Sequence, residues 1–179
     1  MKWILFVASV VLTSLSPALA DMPAVDFVVG MSDVGYSSAM VVWVPLSPDQ
    51  AISGLVWYNN DCTVVFPVIA LAAGTGEQPC LLEDMTDAVQ CVQGGSSQWS
   101  EEVFPASMAS TVEGLYLALR FPVGSVQIEA GTGGGAGVGC SEEAGGLSAW
   151  TTLDGETWLP VHGSLNLAMI PQVVPANEY

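Results

Sequence analysis

GLYLALRF, residues 114–121, decides the fold. Leu115, Leu117, Leu119 and Phe121 fall on one face of an extended chain, and Tyr116, Ala118 and Arg120 on the other. That is the period-2 alternation of a half-buried β-strand, since successive side chains point to opposite faces. Similar short runs recur along the chain, each ended by Gly, Pro, Asn or Asp: DFVVG, SAMVVWVPL, GLVWYN, TVVFPVIALAA, QWSEEVF, GLSAWTTL, ETWLPV and SLNLAMIPQVV. Leu165, Leu167 and Met169 alternate with Asn166, Ala168 and Ile170, apolar on most of both faces, which predicts a central strand. No helical pattern of convincing length and no long repeat interrupts the series, so the expectation is an all-β fold, a single antiparallel β-sandwich of jelly-roll-like form. Asp154-Gly155 between two runs predicts a hairpin, roughly 147–153 with 156–161, closed by a two-residue type I′ turn.

Outward from the strands, the N-terminus reads as a signal for export. MKWILFVASVVLTSLSPALA carries one lysine, an apolar run too short to span a bilayer, and a small-x-small ending at Ala18-Leu19-Ala20. Residues 1–20 are therefore expected to be a signal peptide and 21–179 the single β-sandwich domain. The expected location is outside the cytoplasm, extracellular or periplasmic, with no membrane insertion after cleavage.

Cleavage would remove 20 of the 179 residues, leaving 159 with all 18 acids and a single base, Arg120, for a net charge of −17. Nucleic acid and anionic lipid are excluded as partners, because binding them needs Lys and Arg to neutralise phosphates. The same poverty removes most acid, base and anion-clamping chemistry. His162 is the only histidine, and PVHGS puts it at the end of a strand, so it is read as a strand-end residue rather than a catalytic base.

GTGGGAGVG, residues 131–139, contains the pattern G-x-G-x-x-G/A. A dinucleotide loop needs a helix N-terminus immediately after it, and here Glu142-Glu143 and Gly145-Gly146 follow instead. No lysine is present for a Walker loop. The tract is read as a loop or bulged strand in which glycine permits close backbone approach.

Cys62, Cys80, Cys91 and Cys140 form an even set in a chain with an export signal and lack C-x-x-C spacing, which favours two disulfides over zinc. CLLEDMTDAVQC can fold back about Met85-Thr86 and set Cys80 opposite Cys91; Cys62 then pairs with Cys140 by elimination. Calcium is the metal that oxygen ligands alone could hold, with Glu83, Asp84 and Asp87 as the candidate cluster and Asn59, Asn60 and Asp61 as a second. Trp57, Tyr58 and Trp150 are the candidate ligand-binding rings, because neighbouring aromatics in a strand face opposite ways and one must lie outward.

TTLDGETW, residues 151–158, is similar to the Asp-box hairpin of secreted β proteins, S/T-x-D-x-G-x-T-W, without the residue between Asp and Gly. That motif is structural and implies no activity. From GLYLALRFPVGS onward the chain also resembles exported bacterial β-sandwich proteins of uncharacterised function, which implies a sandwich and carries over no functional residue. The functional expectation is a secreted, non-catalytic domain, a binding module or cell-surface structural protein whose partner is a glycan or another extracellular protein. The alternative is a carboxylate-dependent polysaccharide hydrolase, for which Glu83, Asp84, Asp87, Glu101 and Glu102 are candidate acids.

Overall fold

The computed structural model describes residues 22–30, 38–59, 68–90, 98–109, 112–121, 137–141, 146–161 and 166–176. These form twelve strands: β1 (Phe27–Gly30), β2 (Ser38–Pro45), β3 (Gln50–Asn59), β4 (Val68–Gly74), β5 (Thr86–Gln90), β6 (Gln98–Ala109), β7 (Gly114–Phe121), β8 (Gly137–Ser141), β9 (Ala149–Thr152), β10 (Leu159–Pro160), β11 (Asn166–Leu167) and β12 (Met169–Pro175). The only helical piece among the described residues is a 3₁₀ turn at Leu82–Asp84. The fold is all-β, with two antiparallel sheets packed as a sandwich.

The first sheet runs β1-β8-β3-β12, with β11 also on β8 and β6 on the other side of β3; the second runs β10-β9-β2-β7-β4-β5. The chain changes sheet repeatedly, as in β2 to β3, where Ser47-Pro48-Asp49-Gln50 makes a tight turn closed by Gln50 N–H to Ser47 O at 2.9 Å. Proline in the second place of such a turn presets its φ.

Between the sheets lies the main core. Met40, Val42, Ile69, Leu71, Leu117, Leu119 and Phe121 from the second sheet meet Ile52, Leu55, Trp57, Val138, Cys140 and Met169 from the first. The faces expected for β7 are correct, but the strand is not half-buried. Tyr116 and Ala118 are as buried as Leu117, because the outer side of the second sheet is also covered. That outer side carries several small residues, Ala39 and Val41 of β2, Ala70 and Ala72 of β4 and Ala118 of β7, beside the rings of Trp43, Tyr116 and Trp150. Short side chains leave room for a further layer, and Leu82, Met85 and Trp158 pack into it beside Tyr116 and Trp150.

Three sequence expectations are corrected here. The run Asn166–Ile170 is not one continuous strand: β11 pairs with β8, β12 pairs with β3, and Ala168 between them is a bend whose amide donates to Gly139 O at 2.7 Å and whose carbonyl accepts from the Tyr58 amide at 2.9 Å, while Leu165 lies outside the described residues. The β9–β10 hairpin exists, but its pairs are Thr151 with Leu159 and Trp150 with Pro160, across a longer loop than a two-residue turn. And no hairpin folds about Met85-Thr86, because Leu82–Asp84 is helical and β5 pairs with β4 from Leu71↔Thr86 to Val68↔Gln90. The glycine tract's described end, Gly137–Ser141, is strand β8 rather than the start of a helix, which removes the dinucleotide-loop geometry. Gly139 is the close approach expected there, since a Cβ would sit 2.7 Å from Cδ1 of Tyr58. Residues 131–136, the signal-like segment 1–20 and His162 lie outside the described residues.

Candidate functional site

Asp154 organises the loop that covers the second sheet. Its Oδ1 accepts from the Thr157 amide at 2.7 Å, the Glu156 amide at 2.9 Å and the Thr152 hydroxyl at 3.0 Å. The Thr152 oxygen accepts in turn from the Gly155 amide at 2.9 Å. A short acidic side chain that gathers the amides two and three residues ahead of it is an Asx turn, and it replaces the expected type I′ geometry. Gly155 supplies the left-handed backbone there, with φ at 81°. The amides of Thr157 and then Glu156 hold the Asp154 carboxyl well below the usual carboxylate range.

Two hydrogen bonds fasten this loop to the 3₁₀ segment: the Leu82 amide to Gly155 O at 2.8 Å, and Trp158 Nε1 to Cys80 O at 2.9 Å. Between the two segments opens a cleft of about 200 Å³, with Leu81, Leu82 and Glu83 on one wall, Asp154, Gly155 and Glu156 on the other, and Arg120 of β7 below. Arg120 places Nη1 on Oδ1 of Asp87, as its outward position beside so many acids leads one to expect. Its side chain is 18% exposed against 58% for Asp87, and its Nε is buried with no hydrogen-bond partner among the described residues.

The candidate residues fall as follows. Of Glu83, Asp84 and Asp87, the first borders the cleft and the third is engaged with Arg120, while Asp84 is exposed and its amide donates to Leu81 O at 3.0 Å. Among the described residues no three His, Cys, Asp or Glu side chains gather closely enough to hold a metal ion. Asn59 is buried at the end of β3, and Asn60 and Asp61 lie outside the described residues. Glu101 and Glu102 point to opposite faces of β6: Glu101 is exposed and accepts from Gln172 Nε2 at 2.6 Å, and Glu102 is buried.

Trp57 and Trp150 are not platforms for a ligand. They are 1% and 8% exposed, Trp57 in the main core and Trp150 edge-on against Tyr116 at 5.9 Å under the outer layer. Alternation does turn Tyr58 outward, half-buried and edge-on to Trp99 at 5.8 Å. Cys80 carries a free thiol whose ionisation is pushed up by burial and then by the charge of Asp84. Cys91 and Cys62 lie outside the described residues, so both proposed pairings have one end there, and the hairpin that motivated Cys80–Cys91 is absent. Cys140 is buried in β8.

The cleft is not legible in the sequence because its walls, Leu81–Glu83 and Asp154–Glu156, are more than 70 residues apart in the chain. The signal that points to it is the alanines at outward positions, Ala70 and Ala72 of β4 and Ala118 of β7, which leave space for something to pack above them. Among the described residues no helix is long and apolar enough to cross a membrane. No family model, curated protein or solved structure matches the chain.

Proposed function

We propose that this protein is an exported, non-catalytic β-sandwich domain that binds an extracellular ligand, a glycan, in the cleft above Arg120. The observation that carries this reading is how the acids around Arg120 are employed. Asp154 is committed to its own loop and Asp87 to the guanidinium, leaving Glu83 and Glu156 as exposed acceptors beside an arginine donor. Donors and acceptors on a rigid concave surface suit the hydroxyl groups of a sugar.

A carboxylate-only hydrolase asks for something different. Its general acid must stay protonated near neutral pH, which requires a raised ionisation. Asp154, the cleft acid held by the amides of its own loop, is shifted the opposite way, and Asp87, one of the candidate acids, is engaged with Arg120. Export is supported by the N-terminal pattern, and the single mature arginine argues against phosphate-bearing partners.

The test is a glycan-array screen together with a reducing-sugar assay on the mature protein. Binding to at least one glycan class without release of reducing ends is the expected result. Release of reducing ends would make the hydrolase the better reading, and silence in both assays would remove the glycan.

A further inference from the structure

We infer that the cleft above Arg120 selects uncharged sugar units and rejects acidic ones. The inference deepens the glycan reading and rests on it. The cleft's volume of about 200 Å³ lies below the roughly 300–1,000 Å³ of sites for drug-sized ligands, so it accommodates one ring rather than a length of chain. Leu81, 41% exposed, offers that ring an apolar wall.

The floor is an arginine, which on its own would attract an acidic sugar through a two-pronged carboxylate contact. Here that attraction is already spent. Asp87 pairs with the guanidinium through Nη1, and the Arg120 side chain stays 18% exposed at the cleft, so Arg120 offers a donor whose charge is balanced by Asp87. Around it Glu83, Asp154 and Glu156 contribute three carboxyl groups with no further base among the lining residues. A sugar carboxylate or sulfate entering this ring is repelled, whereas a hydroxyl pair can accept from arginine and donate to glutamate at once. The whole mature chain adds to the repulsion, with 18 acids against this one arginine.

The experiment compares a neutral-hexose trisaccharide with a uronate trisaccharide of the same linkage by calorimetric titration at low and at high salt. It is repeated on the Glu83→Gln/Glu156→Gln double variant, whose changes lie at exposed positions. The neutral sugar should bind at least about tenfold tighter at low salt, and the gap should narrow with added salt. In the double variant the uronate should gain affinity by a larger factor than the neutral sugar does. Equal or tighter binding of the uronate by the native protein overturns the selectivity and leaves the glycan reading standing. If neither trisaccharide nor any array glycan binds, the glycan reading itself fails and the selectivity with it.

Discussion

Gly76 and Gly155 both hold positive φ, at 87° and 81°, yet they answer to different constraints. At Gly76 a Cβ would also come within 2.7 Å of the Trp43 indole, and the Gly76 amide donates to the Tyr116 hydroxyl at 3.1 Å. Gly114 lies against the same indole, where a Cβ would sit 2.8 Å from Trp43 Nε1 and 2.3 Å from Val44 O. Gly76→Ala should therefore combine backbone strain with overpacking and lower stability by about 2–4 kcal/mol. Gly155→Ala should lose about 1–2 kcal/mol, mainly from strain. Urea denaturation of both variants checks the order, and an equal loss at the two positions would remove the role given to Trp43. The Asp87–Arg120 pair is a smaller matter, because one partner is more than half exposed. Asp87→Asn should lower stability by no more than about 1 kcal/mol, a fall in Tm of about 2–4 °C. A fall well beyond that would show that the guanidinium depends on Asp87 as a buried charge does.

At the scale of elements, the layer over the second sheet separates this molecule from a plain two-sheet sandwich. Ala118 faces outward from β7, and in a sandwich with a bare outer face Ala118→Leu would be nearly neutral. Here it should push against Leu82, Met85 and Trp158 and cost about 1–3 kcal/mol. A change within about 0.5 kcal/mol in a denaturant titration would mean that the layer does not rest on the alanines. The Asp154 loop holds that layer from its other end and adds a pH dependence. Its carboxyl ionises at lower pH in the folded chain than in the unfolded one, so the stabilisation is complete above the unfolded value of about 4 and is lost as pH falls toward the folded value. The stability difference between native protein and Asp154→Ala should be flat from about pH 5 to 8 and shrink below about pH 4. A difference that grows on acidification would reverse the assignment of the Asp154 hydrogen bonds.

For the molecule as a whole, most strands could be read from short alternating runs because one face of each is buried in the main core. Two fall outside that series of alternating runs for identifiable reasons. β5, Thr86–Gln90, is a polar strand at the edge of its sheet, and β8 is written largely in glycine, so neither shows the hydrophobic pattern that marks a strand. The half-buried reading of β7 failed because the sequence of one strand does not say what its second face meets. Trp57 and Trp150 were read as candidate surface rings because aromatic residues serve both surfaces and cores; their burial depends on the opposite sheet and on the outer layer, both assembled from distant parts of the chain. The cleft was invisible for the same reason, although Arg120 and the TTLDGETW loop were each conspicuous alone. The proposed binding takes place in this cleft and not on the outer face of the first sheet, where Tyr58, Trp99 and the 64%-exposed Val103 lie. Amide chemical-shift mapping on the mature, labelled protein, titrated with the strongest glycan from the array, tests it most directly. The expected result is shifts concentrated at Leu81–Glu83, Arg120 and Asp154–Glu156; shifts concentrated at Tyr58, Trp99 and Val103, with the cleft amides unmoved, would contradict binding in the cleft.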